Sequence, residues 1–284
     1  MRIDRDLVEL ISAASVRLCV ASVEALQELG HEDAAWAPLD SGGLFTTGRD
    51  SFINRAIGVG FGGTPAAELL DAAESWFGAL GMPSSLELCP WIPDELVAEL
   101  AKRNYALESF RDVYVHDLTD LPLRSEIDVI DVRDDNSLEQ AWSSILESEY
   151  DPSTPAMERM AQFNAAALRV PERVNLVAII DGAPAATGAL LLAGQVAELG
   201  GATTLAHARR RGAQSALIVD RLHRAVDLGC RLAMVSAAPG GASARNLRRH
   251  GFELAFTEAI VQLQSATDPT STDTPGDAVA NANR

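Results

Sequence analysis

Apolar residues recur every three to four positions over residues 7–29, the repeat of a helix with one buried face, and Gly30-His31-Glu32-Asp33 breaks it. Two strand-like runs follow, 43–47 and 52–59. A helix is then entered through Thr64-Pro65 and runs with leucines and glutamates at helical spacing to Leu80, where Gly81 closes it. Residues 84–91 predict a strand, 93–105 a short helix and 109–118 a strand of alternating polarity.

TDLPLRSE, residues 119–126, has the composition of a linker. Beyond it the pattern predicts a strand at 127–132, a helix at 138–149 capped by Asn136 or Ser137, and a second helix at 157–168. Residues 174–180 and 185–193, joined by Asp181-Gly182, read as a hairpin, and 196–205 as a third strand. A helix at 213–229, a strand at 231–237, a helix at 243–250 and a final strand pair ending near Gln264 complete the order. The predicted organisation is therefore a first lobe at 1–120, a second domain at 124–264 and a disordered tail at 265–284, which is rich in Ser, Thr, Pro and Asp. The order strand, helix, strand, helix, strand occurs at 52–118 and again at 196–264, so the lobes read as a tandem repeat.

With 284 residues and 47% apolar side chains, the chain is long enough for two modest globular domains. It has no apolar run of the roughly 18–20 residues needed to cross a bilayer, and acidic Asp4, Asp6 and Glu9 stand where a signal peptide is basic, so a cytoplasmic protein without a membrane partner is expected. Cys19, Cys89 and Cys230 lack CxxC spacing and sit in apolar surroundings; they read as core thiols, with neither disulfide nor metal site. The net charge of −17 excludes a nucleic-acid partner, because phosphate neutralisation supplies most of that affinity. Residues 201–250 nevertheless carry nine arginines and only two aspartates, a basic island suited to a small polyanion.

Within that island HARRRGAQSALI (207–218) joins a strand to a helix. The first amides of a helix have no intrahelical acceptor and the dipole there is positive, so cations gather at that end only if an anion intervenes. Arg209, Arg210 and Arg211 surround such a point, Gly212 permits close backbone approach, and Ala213, Gln214 and the Ser215 hydroxyl open the helix. With Thr204-Leu205-Ala206-His207-Ala208 before it, the stretch resembles the pyrophosphate loop of the GNAT superfamily of acetyl-CoA-dependent N-acyltransferases: Arg or Gln, two residues, Gly, one residue, Gly or Ala. Arg209 and Gly212 fit that pattern. Gln214 takes the last small position, and Ala206 stands where proline is common. Arg245-Asn246-Leu247-Arg248-Arg249-His250-Gly251-Phe252 is similar to the late helix of that family, with Leu247 where many members have tyrosine. In the first half Arg55-Ala56-Ile57-Gly58-Val59-Gly60 matches the bare spacing more closely, but it lies in an apolar run with Phe61-Gly62-Gly63 before any helix, and reads as a degenerate copy.

The resemblance implies an α/β fold (an α+β mixed sheet), GNAT-like, with two lobes in tandem, and acetyl-CoA as co-substrate. It places the thioester between two splayed strands, where an amine attacks the acyl carbon directly. Thr204 and Leu205 would polarise the carbonyl and line the pantetheine arm. Arg209, Arg210, Arg211, Gly212, Ala213, Gln214 and Ser215 would hold the diphosphate, and Asn246 either bonds the cofactor or bridges main chain. Glu198 is the candidate base, or a solvent-facing carboxylate. Ser243 or a water would reprotonate the thiolate, unless a thiol of pKa about 8–9 leaves unaided. Glu147, Glu149, Tyr150 and Asp151 would face a cationic acceptor, either a small-molecule or a peptide amine, and a homodimer is compatible with this reading. A non-catalytic acyl-CoA-binding protein, or a lobe that recruits a partner, stands as the alternative.

Overall fold

In the computed structural model, residues 1–49, 51, 53–151 and 153–264 are described, and the predicted tail at 265–284 lies outside them. They divide into two units: Met1–Asp112 with the chain from Ala255, and Val113–Leu254.

Unit 1 opens with α1 (Arg5–Glu28), where the Asp4 carboxylate accepts the Leu7 N–H at 3.2 Å and Val8, Ile11, Ala14 and Leu18 form the buried stripe. β1 (Ala34–Leu39), absent from the sequence reading, pairs antiparallel with β2 (Gly42–Thr47), which pairs with β3 (Arg55–Ile57). Next come α2 (Ala66–Ala79), β4 (Ser85–Leu88), α3 (Asp94–Lys102) and β5 (Tyr105–His116). β3 and β4 are parallel, with Ala56 opposite Leu86. Leu69, Leu70, Phe77, Leu86 and Leu96 close the core, each worth about 1.5–3 kcal/mol on burial.

Unit 2 contains β6 (Val129–Asp131), α4 (Glu139–Glu147), α5 (Pro155–Ala167), β7 (Arg173–Ile180), β8 (Ala183–Ala193), β9 (Val196–Thr204), α6 (Ala213–Asp227), β10 (Leu232–Ala237) and α7 (Ala242–Arg249). Strands β6 to β9 are antiparallel neighbours in chain order, while β10 lies parallel to β9. One sheet face packs Leu176, Leu190 and Leu199 on Leu217 and Leu222 of α6; the other packs Val177 on Trp142 and Leu146 of α4.

The expected final strand pair is instead one strand, β11 (Glu253–Leu263), which pairs antiparallel with β4. Eleven residues alternate without a turn residue to break them, so nothing folds the segment back. Each half of the chain thus runs strand, helix, strand, helix, strand, but β5 passes from unit 1 into unit 2 and most of β11 belongs to unit 1. No helix among the described residues is long and apolar enough to cross a membrane.

Two charged arrangements in unit 1 shape its chemistry. At the turn after β3, the Asp40 carboxylate accepts the N–H groups of Gly60 (2.7 Å), Gly62 (3.0 Å) and Thr64 (3.0 Å). Partial burial alone would raise its pKa, but the backbone donors outweigh burial and hold it far below the usual carboxylate range. Deeper in the unit, Glu87 and Glu258 converge on Arg55 and Arg111: Arg111 bonds Glu87 and lies 3.1 Å from Glu258, and Arg55 lies 3.5 Å from Glu87. Burial, then the Glu87 charge, pushes Glu258 up to about 8.

The two carboxyls act on stability with opposite sign. Asp40 is depressed in the folded state, so its contribution is present above about pH 4 and disappears as pH falls through the acid range. Asp40→Asn should therefore cost about 1–2 kcal/mol at neutral pH, with the difference vanishing toward about pH 3 in urea titrations. Glu258 is raised, so its contribution is complete at about pH 4 and declines as pH climbs to about 8. Glu258→Gln should flatten that decline, read as a smaller loss of unfolding free energy between about pH 5 and pH 8 than in the parent protein.

Candidate functional site

In unit 2 the pairing of β9 with β10 stops early. Val196, Ala197 and Glu198 face Leu232, Ala233 and Met234, and no pair follows although β9 continues to Thr204 and β10 to Ala237. From Leu199 onward the β10-side edge of β9 borders a gap. The other edge stays on β8, where the Leu205 N–H donates to Ala185 O at 3.0 Å. Antiparallel donors alternate, so the Thr204 N–H turns toward the gap. Leu205, expected to polarise a carbonyl with its amide, has spent that amide in the sheet.

The gap leads to the turn before α6. Arg210 (φ 63°) and Gly212 (φ 89°) are both left-handed, on either side of Arg211, and such alternation gathers successive N–H groups into a concave nest. Gly212 caps α6 without any side-chain hydrogen bond, and the Ala216 N–H is the first to find an intrahelical partner, Gly212 O at 2.9 Å. The amides of Ala213, Gln214 and Ser215 precede that bond and have no acceptor within the helix. A Cβ on Gly212 would sit 3.3 Å from Ile127 Cδ1, so the turn tolerates little beyond glycine.

Side chains brace this turn rather than fill it. Arg209 donates from Nε to Thr204 O (3.2 Å) and from Nη2 to Glu149 Oε1 (2.9 Å), Gln214 donates to Thr204 Oγ1 at 2.8 Å, and Arg211 reaches Asp181 at 2.7 Å. Arg210 is exposed, and Ser215 half-buried. In unit 1 the corresponding turn is closed, since Asp40 already occupies Gly60, Gly62 and Thr64. The unit 1 sequence that fits the motif spacing more closely is thus the one whose amides are taken.

Glu198 stands half-buried on β9, on the sheet face that carries α4 and α5, since its neighbours Ala197 and Leu199 join the α6 core. Its charge bears on the guanidinium of Arg173. Of the acids expected to draw a cationic acceptor, Glu149 is engaged by Arg209, Glu147 accepts from Asn164 at 3.4 Å and Asp151 holds Ser153. Tyr150 is half-buried, its phenol pushed up by burial. On α7, Ser243 and Asn246 are half-buried, and the Asn246 carbonyl caps the His250 ring at 2.8 Å. Leu247 lies in the core beside Ala244 and Phe252, so the position where the resembled family has tyrosine points into packing. His207 is exposed, whereas His223 is fastened to Pro122 O at 2.9 Å.

No family model matches the chain, and no curated protein matches it significantly. Solved structures do. A GCN5-related N-acetyltransferase from Kribbella flavida is 21% identical with a TM-score of 0.60, over 90% of this chain and 96% of its own. A GCN5-related N-acetyltransferase from Sphaerobacter thermophilus is 17% identical with a TM-score of 0.56, over 75% and 73%. A tandem GNAT protein from the clavulanic acid biosynthesis pathway is 13% identical with a TM-score of 0.51, over 71% and 70%. With the repeated element order and the parted strands of unit 2, these likenesses establish that the chain has the mixed α/β fold of the GCN5-related N-acetyltransferases.

Proposed function

We propose that the chain is an N-acyltransferase that moves an acyl group, acetyl in the first instance, from a CoA thioester to a primary amine of a small molecule or peptide. One observation carries the reading: β9 parts from β10 beside a turn whose backbone donors no side chain caps, while the equivalent turn of unit 1 is sealed by Asp40.

The residues present suit a diphosphate. The nest at Arg210–Gly212 and the first amides of α6 supply oriented donors at the positive end of a helix dipole, with Arg209, Arg210 and Arg211 around them. CoA would supply the acyl group as an activated thioester. This chain would hold it with the Thr204 N–H facing the gap, Gln214 and Ser215 at the helix start, and Asn246 on α7. In the transfer a nitrogen–carbon bond forms as the carbon–sulfur bond breaks. The ammonium proton goes to Glu198 directly or through water, and the thiolate takes a proton from Ser243 or solvent, or departs unaided. A second reading, an acyl-CoA-binding protein without turnover, draws on the burial of Leu247 where an acid would be needed.

Arg209→Glu and Gly212→Asp should each weaken CoA binding at least about tenfold, roughly 1.4 kcal/mol, in calorimetry while circular dichroism stays unchanged. Asp40→Asn should leave CoA affinity as it was. Equal affinity in both loop variants and the parent overturns the loop assignment. Mass-spectrometric screening of amine and peptide mixtures with acetyl-CoA tests transfer, and saturable binding without any mass gain would favour the second reading.

A further inference from the structure

The pairing of β8 with β9 slips at one point. Thr187 faces Thr203 and Ala189 faces Gly200, so the single residue Gly188 opposes two, Gly201 and Ala202. Such a bulge leaves the extra residue outside the ladder. It begins three residues past Glu198, the last to pair with β10, and so lies on the stretch that borders the gap. Gly201 is left-handed (φ 56°), and its carbonyl accepts the Thr187 hydroxyl at 3.1 Å.

Two buried guanidiniums meet this bulge from opposite faces. Arg221, on α6 and 2% exposed, donates from Nη1 to Ala189 O (3.3 Å) and Gly200 O (3.2 Å), and from Nε to Leu217 O (2.9 Å). A Cβ at Gly188 would come 3.1 Å from its Cζ, so the glycine is what admits it. Arg173, on β7 and 6% exposed, lies against the rings of Trp142 (5.8 Å) and Phe163 (6.0 Å), and its Nε donates to Asn175 Oδ1 at 2.8 Å. Its Nη2 would be 3.2 Å from a Cβ at Gly201. Burial pushes both down to about 10, which leaves each charged at neutral pH. Burying one such ion is costly, and apolar side chains would pack these places more cheaply. Arg221 gives carbonyls displaced at the bulge a donor, and Arg173, on which the Glu198 charge bears, lies against the same short stretch of main chain from the other face.

We propose that Arg173 and Arg221 are positioning residues for acyl transfer: they brace the β9 bulge from its two faces so that a main-chain N–H there is held toward the β9–β10 gap and the thioester carbonyl. This rests on the acyltransferase reading above. It moves carbonyl polarisation from Leu205, whose amide is paired, to residues 201–202, with Thr204 beside them.

The test uses the full chain, with [1-13C]acetyl-CoA as the probe, and needs no acceptor. Infrared difference spectra should show the labelled carbonyl stretch shifted to lower frequency on binding to the parent protein. Arg221→Met and Arg173→Met should each lose most of that shift while CoA affinity changes less than about threefold. Arg221→Lys, whose buried amine would shed its proton at neutral pH, should likewise lose most of it. A shift that survives in both methionine variants, in protein that still binds acetyl-CoA, overturns the positioning role and leaves the acyltransferase reading standing. Failure of the parent protein to bind acetyl-CoA sinks both. Where a methionine variant does not fold, Gly188→Ala, which presses on the Arg221 guanidinium from the strand side, serves in its place and should likewise reduce the shift.

Discussion

Backbone N–H groups at a strand-to-helix turn cannot be left without an acceptor, and this chain answers that demand in two ways. In unit 1 the answer is internal: a carboxylate more than twenty positions upstream of Thr64 takes three of the turn's amides at 2.7–3.0 Å. In unit 2 the turn has the same place in the order of elements, yet its helix begins at a left-handed glycine with no capping side chain. A buried or half-buried donor without a partner costs about 1–3 kcal/mol, so an open turn persists only if solvent or a ligand satisfies it. The difference between the two turns therefore comes down to where one aspartate stands. Asp40 gives the turn of unit 1 the acceptor that no side chain supplies at the start of α6.

The elements were largely legible because their signals are local. Helical stripes, Thr-Pro and Gly boundaries and the Asp-Gly turn each lie within a few residues of what they determine, and the structure places α2, α3, α6 and the β7–β8 hairpin within a few residues of the sequence reading. β1 escaped because AAWAPL has small residues and a proline in place of the β-branched run that marks a strand. Partners distant in the chain were invisible. Nothing near Glu149 announces Arg209, sixty residues on, and nothing in β11 says that its partner is β4. The loop at 55–60 shows the limit of motif spacing most plainly. Spacing encodes the shape of a turn, whereas function depends on what fills it.

The arginines that drew notice were also the less deeply placed. Arg209, Arg210 and Arg211 stand out as a run, but they are exposed and brace the rim of the turn. Arg173 and Arg221 are solitary, and each interrupts an apolar pattern. Position 221 falls between Leu217 and Ala225 at intervals of four, on the face of α6 that is otherwise wholly apolar, and Arg173 begins the strand RVNLVAII. A charge at a position that periodicity assigns to the core was the available signal. It carries more information than a cluster does, because a buried charge has no inexpensive structural excuse.

The identity of those two residues follows from the same cost. A lysine at either place would meet the desolvation penalty by losing its proton, as buried lysines do, and the bulge would then be flanked by neutral amines at physiological pH. Guanidinium starts so much higher that even burial brings it only to about 10, and its planar fork lets Arg221 reach two carbonyls from one nitrogen while a second bonds its own helix. Both guanidiniums consequently keep their charge at neutral pH.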